Sequence, residues 1–390
     1  MSASPPRYAS AYLRYDALVA ELQAFAAEAP ELVELVSIGQ SHENRPLWLV
    51  VLSDRRAGTP AHKPALWIDG NLHAAELVGS SACLAFIAWV LRERHRPELA
   101  RVLADSCFYV LPRANPDGAE LALAEAPRIV RSSVRRYPDY PRTSDGLDAC
   151  DIDGDGRILT MRIPDANGAW VESTLDPRIL RLREPGESGR RCFRLLPEGR
   201  VHGPARAKLS SSPEPYGLDL NRNFPADWRV DREATIGSGP FPGSEPEVRA
   251  ILDFVAAHPT IGIALSFHSD GGFLLRPFSH QSDDRFDAED LRVYKRLSAR
   301  GSELTGYPCL SVFHGFRPDP SEVLSGAFDD WCYEQLGLLA WTVEIWSPHR
   351  AAGIEMGDHF AWYLEHGEAD ELALLRWSDA QLGEDGFVPW

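Results

Sequence analysis

The chain has 390 residues, 44% of them hydrophobic, enough to bury a sizeable core. Its formal net charge of −17 argues against nucleic acid or an anionic membrane surface as the partner, because both reward clustered Lys and Arg. The longest uncharged run, 77–91, is shorter than the roughly 20 residues a membrane span needs, and 1–10 lacks the apolar stretch of a secretory signal, so a cytoplasmic protein with no membrane partner is expected.

Helical and strand periods alternate along the chain, which predicts an α/β protein with helices covering a largely buried sheet. A helix is predicted over 12–28, then strands over 47–52 and 65–69. The second strand ends at Asp69 and runs into Gly70-Asn-Leu-His73-Ala-Ala-Glu76. Two residues that resist burial, His73 and Glu76, therefore sit between a strand end and the apolar helix predicted over 77–94. His-x-x-Glu can give a metal two ligands from one turn, although the same spacing occurs on solvated loops. A strand follows at 108–111.

The stretch 137–216 is rich in Asp, Arg, Pro, Gly and Ser without sustained periodicity, and reads as a long irregular insertion rather than a domain with its own core. Inside it, Asp151-Ile-Asp153-Gly-Asp155-Gly156 copies the first half of an EF-hand loop, but the twelfth position is Arg162 instead of the bidentate Glu. A solvated acidic turn and a structural Ca2+ ion at Asp151, Asp153 and Asp155 are both open readings. Just beyond, Asp219, Asn221, Arg222 and Asn223 fall within five residues. A guanidinium grips a carboxylate through two parallel hydrogen bonds, and a neighbouring amide can complete the cradle. A solvated turn before Phe224-Pro225 is the alternative.

The helix over 245–258 carries a start signal, since Ser244 and Glu247 match a capping box with Pro246 in the first turn. A strand over 262–267 delivers His268 to its end, the same context as His73, and ligands of open α/β sheets gather at such ends. A core histidine with both nitrogens satisfied is the competing reading. A strand over 273–276, helices over 288–304 and 327–335 and a strand over 339–345 follow. Glu344 lies inside the last strand, where an unpaired carboxylate is costly to bury. It either pairs with a buried cation or serves as a base with a raised pKa. A final helix is predicted over 359–374. The six scattered cysteines, with no CxxC, read as free thiols, with a Cys150–Cys192 disulfide inside the insertion as the alternative.

In order, the chain shows His73-x-x-Glu76, Asn115-Pro-Asp-Gly118, Arg128-x-x-Arg131, Asp219-x-Asn221-Arg222-Asn223, Ser244-Glu-Pro-Glu247, His268-Ser269, Asp330-Trp331-x-Tyr333 and Glu344. This set resembles the zinc carboxypeptidases of the carboxypeptidase A type, the funnelins, over about 39–346 with the insertion as an interruption. The resemblance implies one catalytic Zn2+ ligated by His73, Glu76 and His268. It implies Glu344 as the general base that activates the zinc-bound water, with Arg131 steadying the oxyanion. Asn221 and Arg222 would hold the free C-terminal carboxylate of a peptide substrate, and Asp219 would accept from the other ring nitrogen of His73. Such roles fit the physics, since zinc lowers the pKa of bound water to about 7 and a carboxylate partner fixes the tautomer of a ligating His.

Asp329, just before Asp330-Trp331, stands where the family's basic-specific branch carries an Asp, which implies a preference for C-terminal Lys or Arg. The family's closing tyrosine is replaced by Glu322, and the insertion is expected to border the mouth of the site and favour short peptides. The resulting expectation is a single α/β domain over 1–390, with a mixed, mostly parallel twisted sheet flanked by helices, acting as a zinc metallocarboxypeptidase. Two other functions stay open: a zinc amidase acting on cell-wall stem peptides or N-acyl amino acids, and a non-catalytic peptide-binding module.

Overall fold

The computed structural model describes residues 6–125, 127–137, 146–203, 217–230, 237–317, 319, 321 and 323–390. They group into two compact units. The first comprises Met1–Ala124, Ile129–Asp139 and Pro215–Trp346, and the second Glu125–Arg128, Tyr140–Glu214 and Ser347–Trp390.

The first unit is built on eight strands: β1 (Val33–Gln40), β2 (Pro46–Leu52), β3 (Ala65–Gly70), β4 (Cys107–Leu111), β5 (Ile261–His268), β6 (Phe273–Arg276), β7 (Cys309–Ser311) and β8 (Leu339–Glu344). Their order in the sheet is β1-β2-β4-β3-β5-β8-β6-β7. The central strands β4, β3, β5 and β8 are mutually parallel, while β2 and β6 flank them antiparallel. Near-continuous apolar runs are what such doubly covered strands require.

Among the described residues, the helices longer than one turn beside the sheet are α1 (Tyr15–Glu28), α2 (Val78–Glu93), α3 (Pro97–Asp105), α4 (Pro116–Ala122), α5 (Pro246–Ala257), α6 (Ala288–Thr305) and α7 (Phe328–Leu336). The period of two sorts each strand's side chains between them. Leu47, Leu49 and Val51 of β2 enter one core with Val248 and Ile251 of α5 and Trp331 of α7. Val50 and Leu52 enter the opposite core with Leu18 and Leu22 of α1 and Leu84 and Ile87 of α2. From β3 the chain crosses to β4 on one side, and β5 later lines up on the other. The loops leaving β3 and β5 therefore diverge at a switch point, where open α/β sheets form crevices.

The six predicted strands of this sheet and the helices flanking them are present, and β1, β7, α3 and α4 join them. β1 alternates buried and exposed residues, and β7 is only three residues long. α3 begins at Pro97 after a break at Arg94-His95-Arg96, and α4 grows from the Asn115-Pro116 motif.

In the second unit, the described residues of the stretch read as irregular carry six short strands. Gly146–Ala149 pairs with Gly199–His202, and Thr160–Pro164, Cys192–Pro197, Trp170–Glu172 and Leu180–Leu182 form a second antiparallel sheet. Val171, Ile179 and Phe193 are buried there. The predicted C-terminal helix is two helices, His359–Glu365 and Glu368–Leu382, because His366 and Gly367 are extended. Arg178 bridges Asp176 and Asp379, linking the second of these helices to the insertion. All six cysteines are free thiols. Among the described residues, no helix is long and apolar enough to cross a membrane.

Candidate active site

The site begins where β3 ends. Gly70 and Gly79 touch: a Cβ on Gly70 would lie 2.6 Å from the Gly79 carbonyl carbon, so only glycine lets α2 start this close to the strand. Asn71 takes a left-handed backbone, with φ of 62°. Its side-chain amide donates to the carbonyls of His73 (2.7 Å) and Ala74 (3.1 Å), curling the chain so that His73 and Glu76 face the same way. Asn115 binds this loop to the next one, since its amide donates to Leu72 O and Ser132 O, and Ala74 N–H donates to Arg131 O. The Asn115 motif thus sets the place of Arg131 relative to His73.

His268 closes β5 and lies beside Glu344 of β8 in the parallel register, with Ile345 N–H donating to His268 O. His73 Nδ1 is 2.7 Å from Glu76 Oε1, His268 Nδ1 is 2.9 Å from Glu76 Oε2, and the two Nδ1 atoms are 3.0 Å apart. The other ring nitrogens have separate partners: His73 Nε2 is 3.1 Å from Asp219 Oδ1, and His268 Nε2 is 3.2 Å from Ser266 Oγ. Protons on both Nε2 atoms leave two Nδ1 lone pairs and a carboxylate facing one point. Such a nitrogen-and-oxygen donor set fits zinc.

Asp219 joins the remaining groups. Its Oδ1 also accepts from Asn221 N–H (2.8 Å), and its Oδ2 accepts from Arg131 Nε–H (2.9 Å). Arg131 Nη1 lies 3.6 Å from Glu76 Oε1. Burial opposes the charge on Asp219, but Arg131, His73 and Arg222 outweigh it and hold the carboxyl well below its ordinary range. Asn221 Oδ1 accepts from Phe328 N–H at the start of α7. Arg222 donates through Nη1 to Asn221 O (2.7 Å), while its buried Nε has no partner.

Glu344 is 9% exposed, and among the described residues no hydrogen bond reaches its side-chain oxygens. Burial pushes its carboxyl up to about 8, with His268 and Arg131 opposing and Glu76 reinforcing the rise. Asp329 is also buried. Its Oδ1 accepts from Asp330 N–H and its Oδ2 has no partner, and burial with the Asp330 charge pushes it up to about 7. The sequence-predicted His73, Glu76, His268, Asp219 and Arg131 are thus in mutual contact, with Glu344 beside His268 in the register, while Asn221 links Asp219 to the helix that carries Asp329. Glu322 lies outside the described residues.

A model of the zinc carboxypeptidase family matches residues 18–150 and 190–362. The chain belongs to the zinc carboxypeptidase family. Carboxypeptidase A6 of Mus musculus is 25% identical over 326 residues, covering 81% of this chain and 56% of that protein. Carboxypeptidase B2 of Mus musculus is 24% identical over 354 residues, covering 88% of this chain and 65% of that protein. The chain therefore spans less than two thirds of the length of these curated relatives. Among solved structures, the carboxypeptidase A of Helicoverpa armigera matches with a TM-score of 0.55 at 19% identity, over 99% of this chain and 76% of that one. Thrombin activatable fibrinolysis inhibitor matches with a TM-score of 0.55 at 21% identity, over 87% of this chain and 68% of that one. These likenesses show a shared fold.

One expectation is corrected in this zinc carboxypeptidase-family chain, and another finds no support. The Ser244–Glu247 capping box does not form: α5 is preceded by Glu245 without a side-chain cap. Ser244 instead donates to Glu245 Oε1, Glu247 accepts from His42 N–H, and Glu245 grips Arg135 through both oxygens. The motif locks α5 to distant loops. The acidic loop also differs, because Asp151 and Asp153 group with Glu198 rather than with Asp155. These carboxylates accept backbone N–H groups of the loop, and nothing among the described residues supports a Ca2+ ion at Asp151, Asp153 and Asp155.

Gly326 fixes the Arg222 backbone. Its φ is +70°, and a Cβ there would sit 2.1 Å from Arg222 O. Gly326→Ala is expected to cost about 1–3 kcal/mol through the left-handed backbone alone, and more through the clash, read as a lowered melting temperature.

Proposed function

We propose that the protein is a zinc-dependent metallocarboxypeptidase that hydrolyses the C-terminal peptide bond of peptides and prefers Lys or Arg at that end. The reading rests on one observation, the convergence of His73 Nδ1, His268 Nδ1 and the Glu76 carboxylate within about 3 Å of one another, with Glu344 beside them. When bound, zinc supplies Lewis acidity, polarising the scissile carbonyl and acidifying water.

Glu344, kept from hydrogen bonds and raised by burial, takes the proton of the attacking water and returns it to the leaving amine. Arg131, anchored through Nε to Asp219, offers its guanidinium charge to the oxyanion that develops as the carbonyl is attacked. Arg222, with an unsatisfied Nε, and Asn221 hold the substrate's terminal carboxylate. Asp329 supports the basic preference, because a buried carboxylate with an unpartnered oxygen gains most from a cation.

The test is release of C-terminal residues from a panel of dipeptides and tripeptides. Faster release of Lys and Arg than of Phe and Leu is expected. Asp329→Asn should lower kcat/KM for the basic substrates by about 10²-fold, the scale of losing one partner of a buried charge pair, and leave Phe and Leu little changed. Faster release of Phe or Leu by the wild type would sink the basic preference. Zinc uptake without release from any peptide bearing a free carboxylate would sink the carboxypeptidase reading.

A further inference from the structure

Behind His268 lies a ladder of polar side chains that the proposed function leaves unused. Trp67 and Asp69 alternate on β3, Ser266 and His268 alternate on β5, and the parallel register sets Ser266 opposite Asp69. The period of two puts all four on the same face of the sheet. Trp67 Nε1–H donates to Asp69 Oδ2 (2.6 Å), and Ser266 O–H donates to Asp69 Oδ1 (2.7 Å). Ser266 Oγ is also 3.2 Å from His268 Nε2. Asp69, Ser266 and His268 are at most 2% exposed, so bulk solvent does not compete for any of these partners.

A hydroxyl carries one proton and two lone pairs. With its proton directed to Asp69, Ser266 can only accept from His268, which requires the ring proton on Nε2 and leaves Nδ1 as a lone pair facing His73 and Glu76. His73 reaches the same tautomer directly through Asp219. We propose that Asp69, acting through Ser266, is a positioning residue that fixes the tautomer and ring orientation of His268 for metal binding. This rests on the metal-centre reading above, and not on which bond the enzyme cleaves.

Asp69→Asn tests the idea with little change in shape. The amide oxygen still accepts from Trp67, but the amide NH2 now donates to Ser266, whose hydroxyl turns to donate to His268 Nε2. The ring proton is then driven to Nδ1, where it blocks the metal. Two measurements follow: the 15N shifts of histidine rings in the metal-free protein, and zinc affinity by competition with a chromophoric chelator.

The expected result is a shift of His268 toward the Nδ1–H tautomer with His73 unchanged, and zinc binding weakened 10–100-fold, the usual scale for an outer hydrogen-bond partner of a metal ligand. Ser266→Ala, which removes the acceptor itself, should also weaken zinc binding at least tenfold and serves if Asp69→Asn does not fold. An unchanged tautomer, or affinity within about twofold of wild type in the folded variant, overturns the proposal. A wild type that takes up no zinc overturns it together with the metal-centre reading. Zinc uptake that depends on Asp69 in a protein that releases no amino acid supports it and sinks only the peptidase reading.

Discussion

Glu344→Gln is expected to lower peptide hydrolysis by about 10²–10⁴-fold, the usual worth of a general base, while zinc stays at about one ion per chain. The substitution keeps the shape of a side chain that ligates nothing in the described site, so loss of rate without loss of metal separates base from ligand. The pH profile should carry the same signature. Burial pushes this carboxyl up to about 8, and the charge of a bound metal opposes that rise, so the acidic limb of kcat/KM should lie above the ordinary carboxylate value of about 4.5 and vanish in the variant. Stability of the metal-free protein should respond in the opposite sense. The native state keeps a proton that the unfolded chain gives up near 4.5, so wild-type stability falls as pH rises from about 4.5 toward 8. The Gln variant escapes that fall, and chemical denaturation at the two ends of the window reads the difference.

Removal of the metal is the second large effect. Chelation is expected to abolish hydrolysis, and stoichiometric zinc to restore it. It should also lower the melting temperature, because a ligand held only by the native state stabilises it by about 4 kcal/mol at a thousandfold excess over Kd, a shift of roughly 10 °C for a unit of this size. The donor set gives a reason for that sensitivity: His73 Nδ1 and His268 Nδ1 lie 3.0 Å apart, and each is within 2.9 Å of a Glu76 oxygen, a grouping that a bound cation would hold together. His268→Ala should reproduce the loss of activity without any chelator, measured against zinc content. A variant that kept full activity would remove His268 from the ligand set.

Most of this centre is legible from single residues, because strand ends at 69, 267 and 345 can be read from apolar runs and each carries a His or Glu at its edge. Local periodicity places a residue at the end of a strand. It does not say which strand lies next to it. The pairing of Ser266 with Asp69 depends on β3 and β5 being neighbours, a relation between residues nearly two hundred positions apart. The capping box failed for the same reason: Ser244 and Glu247 have the right local spacing, but Asn223 and His42 offer partners that only tertiary structure supplies. The insertion hid its strands because segments of three to six residues with half-exposed faces leave little apolar signal.

Asp219 spends one oxygen on His73 and Asn221 and the other on Arg131. Metal affinity and the placement of the arginine are therefore genetically entangled. Substitutions at His73, Asp219 and Arg131 should show strong epistasis instead of additive losses, since residues sharing one hydrogen-bonding partner couple energetically. Once Asp219 is lost, a second change at Arg131 should cost far less than it does alone. A lineage of this protein drifting toward a binding role could shed both at little more than the cost of the first.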